Sequence, residues 1–429
     1  MHALARMKAQ PMLRHDEKIK ATEHLAMNRK VVLWISTICV LYLGVELVSL
    51  LGLFLLRSFR HIEYVTAPSA TLSDRHREIL SGFLQGNPRY FTISPELGWT
   101  IKKNGVAPLY RANSQGIRGD REYTSNIPAG VIRISSFGDS YTHCDDVANS
   151  DTWQQQLQQM DSGLEVLNFG VGGFGLDQAF LRYQEETERF PSNIVFIGYM
   201  TENIFRHVNV FRPFYLPATS TPLSKPRFAL HGGKLTLLEN PMQDYSAYEQ
   251  LLAHPKTTLS LLGKNDHFFD TIYNSSKLDF LPSYRLASIL TYLYLNNTDI
   301  IVDGNYNTES EAFQVTLRLL DEFYASARKN DALPVILIFP EPADVIRYQQ
   351  DSTRQYSALI DYLNMKKYSY IDLLDIFANL NKPMRVEKLF AAPGFNHYSP
   401  LANRHVAQAI WQYLQQEGLL DQTAGLDFK

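Results

Sequence analysis

Four short segments of this 429-residue chain hold side chains able to do chemistry. Phe137-Gly138-Asp139-Ser140 ends a β-branched, apolar run. A serine at a strand tip that opens the next helix exposes its hydroxyl and backbone N–H, and the helix dipole there favours a developing anion. The same residue could instead cap the helix. Asn168-Phe169-Gly170-Val171-Gly172-Gly173-Phe174-Gly175 follows a second apolar run. Gly170, Gly172 and Gly175 fit the dinucleotide spacing GxGxxG, but the turn follows the second strand, and the nearest acid, Glu202, lies later than a ribose-binding residue should. A glycine turn that brings N–H groups close to a substrate oxygen accounts for the same residues. Gly198-Tyr199-Met200-Thr201-Glu202-Asn203 ends a third run, where the Asn203 amide offers two N–H donors or a helix cap. Near the C-terminus, Phe395-Asn396-His397-Tyr398-Ser399-Pro400 precedes an amphipathic stretch. Ser399 suits an N-cap and Pro400 the first helical turn, so His397 is held at a helix entrance.

These segments need strands to end where they begin. Val131–Phe137, Leu164–Phe169, Ile194–Tyr199, Pro334–Phe339 and Tyr368–Leu373 read as five short strands. Amphipathic helices such as Gln178–Glu188 and Phe313–Arg328 lie between them. This alternation predicts a parallel sheet covered on both faces. The gap between the third and fourth strands is longer than a crossover needs, so an insertion is expected at about 204–310. In it, Arg227–Glu239 reads as a hairpin around Gly232-Gly233 and Ser283–Leu295 as a helix. An insertion at the carboxyl end of a strand lands over the ligand crevice. Residues 57–125 are mixed and turn-rich. Within them Arg118-Gly119-Asp120 reads as an ordinary turn.

The order Ser140, Gly173, Asn203, His397 at successive strand ends resembles the SGNH/GDSL hydrolases over residues 126–418, interrupted by the insertion. Asn113-Ser114-Gln115-Gly116-Ile117-Arg118-Gly119 is similar to a stretch common in membrane-anchored bacterial members. The resemblance implies a flavodoxin-like three-layer α/β/α fold. It also implies Ser140 as nucleophile, Gly173 and Asn203 joining the Ser140 N–H in an oxyanion hole, and His397 as general base, with acyl transfer through an acyl-serine. Two positions depart from the pattern. Gly394 stands where an Asp three residues before the His is usual, so a backbone carbonyl, or Asp372 or Asp375 on the fifth strand, would have to orient His397. Ile204 follows Asn203 where Asp is common. His143, Cys144, Asp145 and Asp146 form a cluster that could suggest a metal, but adjacent helical residues point different ways. A surface or substrate-contacting His143 is expected instead, with no metal and no cofactor.

Val31 to Leu56 is apolar apart from Glu46 and exceeds the roughly 20 residues a helix needs to cross a bilayer. The chain is therefore expected to have a tail at 1–30, a transmembrane helix at 31–56 contacting lipid, and an outer region from 57. Arg6, Lys8, Arg14, Lys18, Lys20, Arg29 and Lys30 precede the span and favour a cytoplasmic N-terminus. That orientation leaves the catalytic domain extracytoplasmic, periplasmic in a Gram-negative cell. Glu46 could mark a membrane partner protein or a functional site. Cys39 and Cys144 cannot pair across the bilayer. Net charge is −3, which lacks the basic footprint of a nucleic-acid partner. The expected function is a serine esterase acting on O-acyl esters, acetyl by family resemblance, of an envelope polysaccharide or a small ester. The alternatives are an O-acyltransferase on an envelope glycan and a non-catalytic glycan-binding or scaffold protein.

Overall fold

The computed structural model describes residues 2–60, 64, 72–87, 89–269, 276–295, 300–378, 380, 386–391 and 397–420. Gly394 and Asn396 lie outside them. The chain divides into two units. The larger comprises residues 65–275 and 291–429, and the smaller residues 1–64 and 276–290.

Eleven strands are formed in the described residues: β1 (Phe91–Ser94), β2 (Gly98–Ile101), β3 (Ile132–Phe137), β4 (Leu164–Asn168), β5 (Ile194–Met200), β6 (Arg227–His231), β7 (Lys234–Leu238), β8 (Ile301–Val302), β9 (Asn305–Tyr306), β10 (Leu333–Phe339) and β11 (Tyr370–Asp372). The main sheet has the order β11-β10-β5-β3-β4, and every pair in it is parallel. From β3 the chain goes out to β4, then returns to β5 on the other side. This is the flavodoxin-like order, and its reversal opens a crevice between the ends of β3 and β5. β3, β4 and β5 are buried at every position, as strands covered on both faces must be. The one charged residue inside β3, Arg133, stands in register with Glu165 of β4. It binds that carboxylate through Nε at 3.0 Å and Nη2 at 2.9 Å, so the buried charges are matched.

Helices Leu176–Glu186 and Glu311–Lys329 pack together beside β3 and β10, and Trp153–Gln158, Leu373–Ala378 and Pro400–Gln416 form a second group against β4 and β10. Ser399 caps the last of these, its Oγ accepting from Ala402 N, with Pro400 in the first turn. Residues 72–123 are less irregular than their composition suggests. They hold the helix Asp74–Leu84 and the β1–β2 hairpin, and they put Leu80, Tyr90, Trp99 and Ile117 into the main core. The expected hairpin in the insertion is β6–β7. It turns at Gly232 and Gly233, with φ of 59° and 77°, a left-handed pair that glycine adopts without strain.

In the smaller unit the helix His2–Arg60 is long and apolar enough over Arg29–Phe59 to cross a membrane, with mean hydropathy 2.4. Glu46 has its partner within the same chain. Its carboxylate accepts from Ser283 N at 2.9 Å and Ser283 Oγ at 2.6 Å, at the start of the helix Pro282–Leu295. A carboxylate there satisfies helix-terminal N–H groups and complements the dipole. Gly52 lets the two helices approach: a Cβ at that position would lie 3.0 Å from Leu286 Cδ2.

Candidate active site

Ser140 begins a four-residue helix, Ser140–His143, directly beyond β3. Its N-cap is Asp139, whose Oδ1 accepts from Tyr141 N at 2.8 Å. This short helix is seated deep on the strand ends because two glycines leave room for it. A Cβ on Gly138 or Gly198 would fall 2.1 or 2.0 Å from Thr142 Oγ1. Two glycines of the second segment play the same part, since a Cβ on Gly170 would strike His143 N at 2.3 Å. Gly170 and Gly172 accommodate the serine loop, the latter against Asp145, whereas Gly175 makes room for Asp177 and Arg206.

Beyond the helix, Cys144 and Asp146 are both left-handed, with φ of 64° and 69°. Arg118 holds this loop. It is buried and donates to the carbonyls of His143, Cys144 (2.7 Å) and Val147 (2.7 Å). The segment Asn113–Gly119 thus acts as a brace for the serine loop. His143 is neither a surface residue nor a substrate contact. It is fully buried, its Nε2 accepting from Tyr90 Oη at 2.6 Å and its Nδ1–H donating to Asp145. Burial and the Arg118 charge push its pKa down to about 4, so the ring is neutral. Burial alone would raise Asp145, but its contact with His143 brings it to about 2.

His397 meets this loop. Its Nδ1 lies 2.7 Å from Asp146 Oδ2. Neither of the expected orienting acids is there. Asp372 accepts from Tyr356 Oη at 2.9 Å, Leu374 N at 3.0 Å and Arg354 Nε at 3.1 Å, and Asp375 also pairs with Arg354. Both stand at the β11 edge of the sheet, whereas the acid on His397 comes from the serine's own loop. The Asp145-Asp146 pair, so soon after Ser140, was the available signal in the sequence. Burial pulls the His397 pKa down, but the Asp146 hydrogen bond and the charges of Asp145, Asp146 and Asp139 outweigh this and hold it above its ordinary value.

Ser140, Gly173 and His397 all line one cavity of about 610 Å³. Gly173 turns with φ of 82°, and Trp99 Nε1 fixes that turn by donating to Gly172 O at 2.9 Å. Asn203 is fully buried and is not in the cavity wall. Its amide lies beside Asp139 and favours the charged form of that carboxylate, while neither of its polar atoms nor Asp139 Oδ2 meets strict hydrogen-bond geometry. Burial raises the Asp139 pKa, against the nearby Arg206 charge, whose Nη1 is 3.9 Å away. Leu216 and Ala218 to Thr221, from the insertion, line the same cavity, so the insertion does lie over the crevice. Among the described residues no group of three or more His, Cys, Asp or Glu could hold a metal ion.

No protein-family model matches the chain, and no curated protein matches it. Solved structures to which it is similar include a lipolytic protein of the G-D-S-L family from Veillonella parvula, at 10% identity over 67% of this chain and 100% of that one, with a TM-score of 0.34. A GDSL-like lipase from Bacteroides thetaiotaomicron is similar at 9% identity, over 66% and 88% of the two chains, with a TM-score of 0.31. A psychrotrophic esterase from a Pseudoalteromonas species, inhibited by monoethylphosphonate in its structure, is similar at 11% identity, over 66% and 97%, with a TM-score of 0.30.

Proposed function

We propose that the protein is a serine esterase that cleaves O-acyl esters through an acyl-Ser140 intermediate. The observation that carries this is the Asp146–His397 hydrogen bond, made by a histidine that shares a cavity wall with Ser140. With Nδ1–H donating to Asp146, Nε2 keeps its lone pair for the Ser140 proton. Ser140 Oγ attacks the ester carbonyl, and the oxyanion forms against the N–H groups of Ser140 and Gly173. The Asn203 amide, buried behind the cavity wall beside Asp139, supplies a further donor once it turns toward the oxyanion. His397 passes the proton to the leaving alkoxide. Water, deprotonated by His397, then releases the acyl group as its acid and restores the serine.

A polymeric, hydroxyl-rich substrate such as an acylated envelope glycan suits the surroundings. The cavity shares Phe91, Tyr110, Ser220 and Thr221 with a second one of about 560 Å³. That cavity shares Val106, Ala107, Pro108 and Tyr110 with a third of about 380 Å³, which reaches Arg111 and Asn149. An extended groove with aromatic and polar walls can follow a chain of sugar units. The span at Arg29–Phe59 and the basic residues before it support an anchored protein with this groove on the outer side.

Labelling with a fluorophosphonate tests the nucleophile. The wild type is expected to label and Ser140→Ala not to; equal labelling of the two would remove Ser140 from the mechanism. Acetate release from 4-nitrophenyl acetate, with and without a glycan acceptor, then separates hydrolysis from transfer. Acceptor-dependent loss of free acetate with acetylated glycan appearing would replace the esterase with an O-acyltransferase.

A further inference from the structure

Two arginines, Arg206 and Arg212, line the cavity of Ser140, and only one has a carboxylate partner. Arg206 pairs with Glu202 and faces Asp139. Glu202 is also taken by Tyr215 Oη, and Asp145 by His143. Glu341, on the cavity wall, has its pKa raised by burial and then by the charges of Glu202 and Asp344, so it tends to stay neutral. Glu202 and Asp139 act on Arg212 only at longer range. Among the described residues no carboxylate lies within ion-pair distance of it, and its Nη1 donates to Gly173 O at 2.9 Å. Burial and the Arg206 charge pull its pKa down to about 10, still well above neutral pH, so the guanidinium is charged. A charged guanidinium on a cavity wall with no carboxylate in direct contact keeps its donors open to an anion. It carries five N–H donors in a planar fork that matches a carboxylate, and one is in use. The Gly173 carbonyl aims it at the turn that closes around the reacting ester. Thr219, Ser220 and Thr221 stand on the same cavity wall.

We infer that Arg212 is a subsite for a carboxylate carried by the substrate, so that the ester cleaved belongs to an acidic molecule such as a uronate-bearing glycan. This rests on the esterase proposal for the location of the ester, though the anion site itself does not depend on catalysis. The substrate carboxylate supplies the direct counter-charge that the fold withholds, and it fixes the position of the neighbouring acyl group relative to Ser140. Charge-assisted hydrogen bonds of this kind contribute about 1.5–3 kcal/mol, or roughly tenfold or more in affinity.

The test uses the full chain in detergent with Ser140→Ala, so that nothing is consumed, titrated calorimetrically with glucuronate and with its neutral methyl ester. Glucuronate is expected to bind at least about tenfold more tightly. Arg212→Gln should abolish the difference and Arg212→Lys should keep part of it, which guards against a folding defect. Equal binding of the two sugars, or no binding of glucuronate, would overturn the subsite. Cleavage by the Ser140-intact chain of 4-acetoxybenzoate and of its methyl ester is measured in parallel. If glucuronate is discriminated but neither ester is cleaved, the anion site stands and the esterase proposal falls. If both esters are cleaved, equally impaired by Arg212→Gln and with no discrimination in binding, Arg212 acts at the reacting carbonyl and the subsite is overturned.

Discussion

Asp146 Oδ2 lies 2.7 Å from His397 Nδ1, across 251 residues of chain, while the same Asp146 follows Ser140 by a single short turn. Asp146→Asn is therefore expected to lower kcat by about 10²–10⁴ with a smaller effect on KM, the cost of losing the group that sets the imidazole tautomer. Steady-state hydrolysis of 4-nitrophenyl acetate measures it. Asp372→Asn and Asp375→Asn should leave kcat within about threefold, since both acids serve Arg354.

The pH dependence follows from the raised His397 pKa. A general base must be neutral, so kcat/KM should fall on the acid side with an inflection above about 6.5, the ordinary histidine value. Asp146→Asn should move that inflection downward. For stability the sign is opposite. A histidine raised in the folded state contributes stability that is present below its unfolded pKa and lost as pH rises through its folded one. Urea unfolding should accordingly show Asp146→Asn more destabilising at pH 5.5 than at pH 9. A loss that does not change with pH would contradict the assignment.

Asn203→Ala should cost about 10²–10³ in kcat if the amide serves the oxyanion. The side chain is fully buried and its amide lies beside Asp139, so the thermal midpoint should fall modestly while kcat falls by far more. A large drop in the midpoint with unchanged kcat would assign Asn203 to the fold instead.

Arg118→Met should destabilise the larger unit by about 2–4 kcal/mol, because three buried carbonyls lose a charged donor. The same variant frees the loop that carries Asp146. The acid inflection of the rate profile should shift with it, which a purely structural brace elsewhere would not cause.

In the smaller unit, a cysteine pair made by Gly52→Cys and Leu286→Cys in a Cys39→Ser background should crosslink on mild oxidation of the full chain. A Cβ at Gly52 would lie 3.8 Å from Leu286 Cγ, the atom that a cysteine sulfur would replace, so the two thiols come into reach after a small adjustment. Absence of the crosslink, judged by gel shift, would count against the docking of Pro282–Leu295 on the long helix.

The five core strands were legible to within about two residues because each is a short, mostly buried run dominated by apolar and β-branched residues. The cap at Ser399 and the Gly232-Gly233 turn were legible for equally local reasons. Residues 72–123 were not, since their elements are short and are held by contacts with distant parts of the chain, such as Trp99 with Gly172. Asp146 was missed because the acid was sought near His397 in sequence. Its position depends on left-handed residues at 144 and 146 and on the Arg118 brace, and none of these shows in a periodicity. His143 was misread for the same reason: its burial comes from Tyr90 and Arg118, both on segments far from it in the chain.

Placing the proposed nucleophile and its acid on one braced loop has a mechanical consequence. Three chemical roles are carried by two moving parts. Any rigid displacement of the stretch from Ser140 to Asp146 carries both residues along and leaves their separation unchanged, so alignment has one adjustable joint, the one to His397. The stretch is in effect a cassette. Moved intact, with its glycine seats and its arginine brace, onto another parallel sheet of this order, it would need a histidine and an oxyanion donor delivered from outside.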